Sequence, residues 1–422
     1  MGKQHFERVD ENFLPNEKGS IFVGPNAVYD LSSVQLLYSS VDTLRQLYKL
    51  QPNEELLGQW GEALEDSASR EAFVFFAGHE WLLRRGGKSG FQFLLQNAEF
   101  GLILLVKSNY AKVENSATHF KIEVSPKLLS AHCPDSIQIM LDDLAEQVSS
   151  DGEYQPSGVA IHLALDVQGW EAPADLDAQL VCRSRRVSDH NGFTELVVDG
   201  TGVAAVYGKG QSFCFGSASS LQFAVYNKSK EMLVHDKADY FEQQWRRYAA
   251  VDEDFNTVYD SDSPVWRLEA RFSHTVVNQF AETNNVKLKQ YKDIYEHLGG
   301  LWRYALSSFR LDHNRSYVAP IWTLFTTDAD FRPPSESFDY RRTYKTPGVG
   351  NEKNVCLALG NMLSLFARNG VTAPKAWAFL KRSGIWADLM GYCKARKISR
   401  GDLYDAVEQG LKKRRLASKL AS

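Results

Sequence analysis

YGKGQSFCFGSASSLQFAVYNKSKE, residues 207–231, is the stretch from which the fold is read. Gly208 and Gly210 punctuate a turn, and residues 212–215 then read as a strand. The Gly-Ser stretch at 216–220 turns the chain into a second strand-like run at 221–226. There Leu221, Phe223 and Val225 alternate with Gln222, Ala224 and Tyr226. Period 2 therefore puts Tyr226 on the less apolar face, at the edge of a polar segment carrying Lys228, Lys230 and Glu231.

Working outward, residues 72–77, 91–96 and 100–107 read as strands, with Arg84, Arg85 and Lys88 in a basic turn between the first two. THFKIEVSP, residues 118–126, alternates so that His119, Lys121 and Glu123 share one face. A helix is predicted over 134–148 and a strand over 158–166, GVAIHLALD, with His162 and Asp166 on one face. WRLEARF, residues 266–272, places Arg267, Glu269 and Arg271 together in the same way. Residues 31–48 carry apolar side chains at 34, 37, 41, 44 and 47, close to helical spacing, and 51–63 predict a further helix. Residues 1–70 thus read as a helical leader or accessory segment and 71–275 as the sheet-bearing domain that carries the candidate site residues. Residues 276–350 form a helical segment and linker, with a helix over 288–306 broken near Gly299-Gly300. Helices at 352–369, 373–383, 384–395 and 399–416, the last capped by Ser399, make 351–422 a basic helical domain for DNA binding, interaction or dimerisation. The fold class is α+β, a central antiparallel β-sheet with helical N-terminal and C-terminal flanks.

FAVYNKSKE followed by WRLEARF resembles the active-site region of rolling-circle replication initiators of small staphylococcal plasmids. That family has relatives among conjugative-element relaxases and filamentous-phage initiators. KIEVSPKLL and GVAIHLALD extend the resemblance in the same order, over residues 91–272. The resemblance implies that Tyr226 attacks a DNA phosphodiester at an origin. It also implies that Glu123 and Asp166 match acidic positions of the family. His162 stands where the family has an aspartate, and Ala160 where it has an arginine that Arg183, Arg185 or Arg186 would have to replace. An imidazole remains an acceptable ligand for a divalent ion. The two departures leave open a protein that binds an origin or operator without nicking. A conjugative relaxase with the same chemistry is the other alternative.

The chemistry constrains the residues independently. A tyrosyl ester conserves the energy of the broken phosphodiester, so the strand can later be closed. A free phenol ionises near pH 10, so it needs a neighbouring cation, and Lys228 is the nearest in sequence. The phosphate needs neutralising, by Mg2+ or Mn2+ on Glu123, His162 and Asp166. Glu269, Arg267 and Glu231 are supporting candidates, although Glu269, flanked by Arg267 and Arg271, reads rather as an ion-paired structural residue and Glu231, despite its match to the family, as an exposed loop residue. Candidate DNA contacts are Arg84, Arg85, Lys88, Arg185, Arg186, Lys412, Lys413, Arg414 and Arg415.

Composition bounds these readings. The 422 residues are 44% hydrophobic and 24% charged with net charge −4, an ordinary globular profile. Residues 371–422, however, carry 12 Lys and Arg against 4 Asp and Glu, an excess that suits an anionic partner such as DNA. Five cysteines without C-x-x-C spacing predict neither a disulfide framework nor structural zinc. With no signal-peptide pattern and no apolar run approaching 18 residues, a cytoplasmic protein without membrane contact is expected. No phosphate-loop motif appears, so strand displacement would rest on a host helicase.

Overall fold

The computed structural model describes residues 3–9, 19–67, 71–114, 117–182, 187–188, 212–234, 238–250, 257–333, 337–342, 352–395 and 398–420. The chain divides into two compact units, residues 1–343 and 344–422.

The first unit is built on an 11-stranded sheet. In chain order its strands are β1 (Gln35–Pro52), β2 (Glu71–Phe76), β3 (His79–Arg85), β4 (Phe91–Asn97), β5 (Leu102–Ser108) and β6 (Ala117–Val124). They continue with β7 (Ser149–Gln168), β8 (Val187–Ser188), β9 (Ser212–Gly216), β10 (Leu221–Asn227) and β11 (Trp266–Phe272). Their order across the sheet is β8-β9-β10-β11-β7-β1-β6-β5-β4-β3-β2, every pairing antiparallel. The fold is therefore the expected α+β class with an antiparallel sheet and helical flanks. Two smaller sheets accompany it: Glu7–Val9 with Ile21–Val23 and Val28–Asp30, and Leu180–Cys182 with Phe309–Leu311.

The helices of this unit are α1 (Glu54–Glu65), α2 (Pro126–Ala131), α3 (Pro134–Val148), α4 (Lys228–Val234), α5 (Ala238–Tyr248), α6 (His274–Asn284), α7 (Tyr291–Tyr295), α8 (Leu298–Ser308) and α9 (Pro320–Thr327), with a single turn at Leu176–Gln179. Proline at the first turn of α2, α3 and α9 costs no intrahelical hydrogen bond and presets the helical φ. The apolar faces of β7, β10 and β11 (Ile161, Leu163, Phe223, Val225, Leu268, Phe272) join Ile137 and Leu141 of α3 and Phe280 of α6 in one core. At about 1.5–3 kcal/mol per fully buried large apolar side chain, this face anchors the unit. A second cluster joins Phe241 and Trp245 of α5 to Leu37, Met232 and Val265.

Residues 31–48 depart from expectation: they are not a helix, and their main part is β1, at the middle of the sheet. Along the β1–β7 pairing, His162 lies opposite Thr43 and Leu163 opposite Val41, while Asp166 lies opposite Tyr38 and Val167 opposite Leu36. Asp42 and Leu37 are thus extra residues in β-bulges. Each bulge moves the alternation by one, so the apolar spacing imitates a helical period. Residues 1–70 consequently contribute the central strand rather than an accessory helical leader, with α1 their one described helix. The helix expected over 288–306 is interrupted near Gly299-Gly300, between α7 and α8; both glycines lie in the first turn of α8, where a Cβ on Gly300 would collide with the Tyr340 ring.

The second unit holds α10 (Glu352–Arg368), α11 (Ala373–Arg382), α12 (Trp386–Ala395) and α13 (Arg400–Leu420), near the bounds predicted. Ser399 Oγ accepts from the Asp402 backbone N–H at 3.1 Å, and the Asp402 carboxylate accepts from the Ser399 N–H at 3.0 Å. This reciprocal pair is a capping box.

Candidate functional site

Register assembles the site. In the β7–β11 pairing His162 faces Arg271, Ala164 faces Glu269 and Asp166 faces Arg267. On the other flank of β11, Gln222 faces Arg271, Ala224 faces Glu269 and Tyr226 faces Arg267. All these side chains lie on the sheet face opposite the main core. Alanines on both sides of Glu269 leave its carboxylate open to the larger residues diagonal to it.

Glu269, 2% exposed, is the hub. Arg271 grips both its oxygens at 2.8 Å, and the Tyr226 hydroxyl donates to Oε2 at 3.1 Å. His162 Nδ1 lies 3.0 Å from Oε1. Burial alone would raise the Glu269 pKa, but Arg271 and the His162 hydrogen bond outweigh it and hold the carboxyl well below its usual range. On the other side of the imidazole, Arg45 Nη1 lies 3.3 Å from Nε2. A guanidinium only donates, so these partners assign the proton to Nδ1. Burial, then Arg45 and Arg271, lower the His162 pKa against the pull of Glu269.

The bulge brings in a residue that sequence reasoning missed. Ligand atoms of Asp42, His162 and Glu269 lie within 4.8 Å of one another, the one group among the described residues able to gather on a metal ion. Two carboxylates and an imidazole suit a divalent cation, and His162 would join the carboxylates as a ligand once a ring nitrogen is released from its present hydrogen bond to Glu269 or Arg45. Asp42 is held by Arg267 at 2.5 Å, which outweighs burial and keeps its carboxyl ionised below the usual range.

Of the expected metal set, only His162 belongs to this group. Asp166 is fully buried, with Arg267 donating to both its oxygens at 2.6 and 2.8 Å and the Trp245 indole N–H donating at 2.8 Å. It anchors Arg267 instead. Glu123 is paired with Arg45 at 2.9 Å. Arg45 sits directly across from Ala160 in the β1–β7 pairing, so a neighbouring strand supplies a guanidinium at that place. Arg183, Arg185 and Arg186 lie outside the described residues.

The chain is 38% identical over 411 residues to ORF430, an uncharacterized protein of Pseudomonas phage Pf1, covering 94% of this chain and 93% of that one. It belongs to the family of that phage protein. No family model matches it.

In this ORF430 relative, Tyr226 does not meet Lys228 as the sequence suggested. Lys228 is 3% exposed, ion-paired with Glu231, and stacked 3.9 Å from the centroid of the Phe241 ring. Its ammonium lies 6.0 Å from the centroid of the Tyr226 ring, whereas the hydroxyl is turned to Glu269. Burial and Arg267 lower the Lys228 pKa. Burial and then Glu269 raise that of Tyr226 well above an ordinary phenol, so the hydroxyl is protonated as it stands. Glu231 is not an exposed loop residue but part of α4, turned inward onto Lys228.

The expected DNA contacts divide. Arg84 and Arg85 end β3 rather than occupying a turn; Arg84 pairs with Glu71 at 2.8 Å, and Arg85 lies 4.0 Å from Glu65 and over the Phe93 ring. Lys88 lies in the single turn Gly87–Ser89, its side chain outside what is described. Lys412 and Lys413 are exposed. Arg414 instead donates to Ser364 Oγ at 3.0 Å and the Gly410 carbonyl at 3.1 Å, and Arg415 to the Val371 carbonyl. Both arginines hold α13 onto neighbouring chain. Among the described residues no helix is long and apolar enough to cross a membrane.

Proposed function

We propose that this protein is a replication initiator that nicks one DNA strand by transesterification to Tyr226 and later closes it. The observation carrying this reading is that the Tyr226 hydroxyl donates to Glu269, a carboxylate shared with the Asp42, His162 and Glu269 group. The order of motifs resembling rolling-circle initiators supports it, and descent alongside a phage protein is compatible with a replication role.

The chain's own residues would act as follows. Tyr226 Oη forms a bond to phosphorus while the bond to the 3′ oxygen breaks, leaving a 5′-phosphotyrosine and a 3′-hydroxyl. Glu269 accepts the phenolic hydrogen bond and so orients Oη, His162 steadies the carboxylate, and the phenolic proton passes by way of solvent to the departing 3′ oxygen. Arg45 and Arg271, on the strands flanking that of His162, would supply positive charge to the phosphate. Mg2+ or Mn2+ held by Asp42, His162 and Glu269 would supply charge neutralisation and offset the raised phenol pKa. Lys228 serves as the buried cation behind the ring.

A second reading keeps DNA binding without nicking. Arg271 already engages both oxygens of Glu269, and burial disfavours the phenolate. One experiment separates the two: supercoiled DNA carrying the protein's own replicon is incubated with Mn2+ or Mg2+ and either wild type or Tyr226→Phe. Nicked circles with protein on the 5′ end, absent in the variant, are expected. Site-specific binding with no cleavage by either form would establish the second reading.

A further inference from the structure

Charge is segregated between the two units. Residues 344–422 carry 15 Lys and Arg against 5 Asp and Glu, a net of +10. The whole chain carries 48 against 52, so residues 1–343 are left with 33 against 47, a net of −14. The unit that holds the candidate site is thus electrostatically unsuited to approach a polyanion unaided, and the second unit is the reverse.

Within that second unit α10 and α13 run side by side in the same direction. Val355 of α10 shares a cluster with Leu403 of α13, and further along Leu363 and Ala367 share another with Val407 and Leu411. The C-terminal turn of α10 therefore lies level with residues 412–415 of α13, where Arg414 and Arg415 cross to Ser364 and Val371. Arg368 closes α10, Lys375 lies in the first turn of α11, and Lys412 and Lys413 lie on α13 beside Arg414 and Arg415; all four are exposed. Of the unit's five acids, Asp402 is engaged in the capping box and Glu408 forms only an exposed pair with Lys412 at 3.2 Å. An exposed pair of this kind is worth little and yields readily to a phosphate.

The rings point to duplex rather than single-stranded nucleic acid. Trp377 packs edge-to-face against Trp386 and Tyr404, which removes these rings from base stacking. Among the described residues of the unit, Phe379 alone is an exposed aromatic. Single-strand binders need a row of such platforms, whereas duplex backbones are held by cations alone. We infer that residues 344–422 bind the phosphate backbone of duplex DNA through Arg368, Lys375, Lys412 and Lys413, anchoring the acidic unit to its substrate. Such anchoring holds whether or not Tyr226 reacts.

The test uses the full chain and a 40-base-pair duplex lacking the replicon, with affinity followed by fluorescence anisotropy across KCl concentrations. The variant changes Arg368, Lys375, Lys412 and Lys413 to Gln together. The slope of log K against log salt is expected to flatten by about 3 to 4, at roughly 0.9 for each phosphate no longer neutralised. A companion carrying Arg368→Lys, Lys375→Arg, Lys412→Arg and Lys413→Arg should restore the slope, which separates charge from folding. Tyr226→Phe should bind as wild type does, so failure of nicking leaves this result intact. An unchanged slope in the Gln variant overturns the inference. So does stronger binding to a 40-nucleotide oligo-dT or to poly-glutamate than to the duplex.

Discussion

Glu269 is where the demands on the site meet. It accepts from a phenol and two guanidinium nitrogens, lies against an imidazole, and is almost wholly buried. Such a carboxylate stays charged only because each oxygen has a partner, and removing one leaves the rest uncompensated. Asp42 carries the complementary test because it is more exposed and its partner Arg267 retains Asp166. Asp42→Asn is expected to weaken Mn2+ binding by about tenfold or more while leaving the melting temperature close to wild type, read by calorimetric titration and circular dichroism. Unchanged Mn2+ affinity would remove Asp42 from the ligand group.

At the scale of elements, α5 is the helix to test because it lies over the polar sheet face. Phe241 stacks on Lys228 and Arg267, and Trp245 fills the cluster with Leu37 and Val265 while its indole N–H satisfies Asp166. Trp245→Ala removes packing and a buried hydrogen bond together. A destabilisation of about 3–5 kcal/mol in urea unfolding is expected, and a loss below about 1 kcal/mol would show that α5 is not essential to the face. The bulge at Asp42 is the other decisive element, since without its extra residue the strand's preceding side chains would exchange faces.

For the whole molecule, two separate cores imply two folding units. The first unit closes around the sheet, and the second around Leu363, Ala376, Leu380, Val407 and Leu411 with Trp377 and Trp386 beside them. Residues 1–343 and 344–422, expressed separately, should each melt cooperatively. At pH 7.5 the first should bind an anion exchanger and the second a cation exchanger, as the opposite net charges require. Failure of the second fragment to show a thermal transition would mean that its helices fold only as part of the full chain.

Much of the architecture was legible along the chain. Alternation identified the strands carrying Glu123, His162, Asp166, Tyr226 and Glu269, because a half-buried strand must alternate. The helices expected over 134–148 and 399–416, one opening on proline and the other capped by Ser399, were bounded to within a few residues because their signals are local, whereas the short helices opening on Pro126 and Pro320 were not read. Asp42 and Arg45 were hidden because two bulges disguised their strand as a helix, and no local pattern records a bulge's partner strand. Asp166 and Glu123 carried the right chemistry for ligands, yet long-range pairing gave them to Arg267 and Arg45. Sequence determined which residues share a face. Only the tertiary structure decided which charges meet across strands, because that depends on register between distant segments, such as those of Asp42 and Arg267, 225 residues apart.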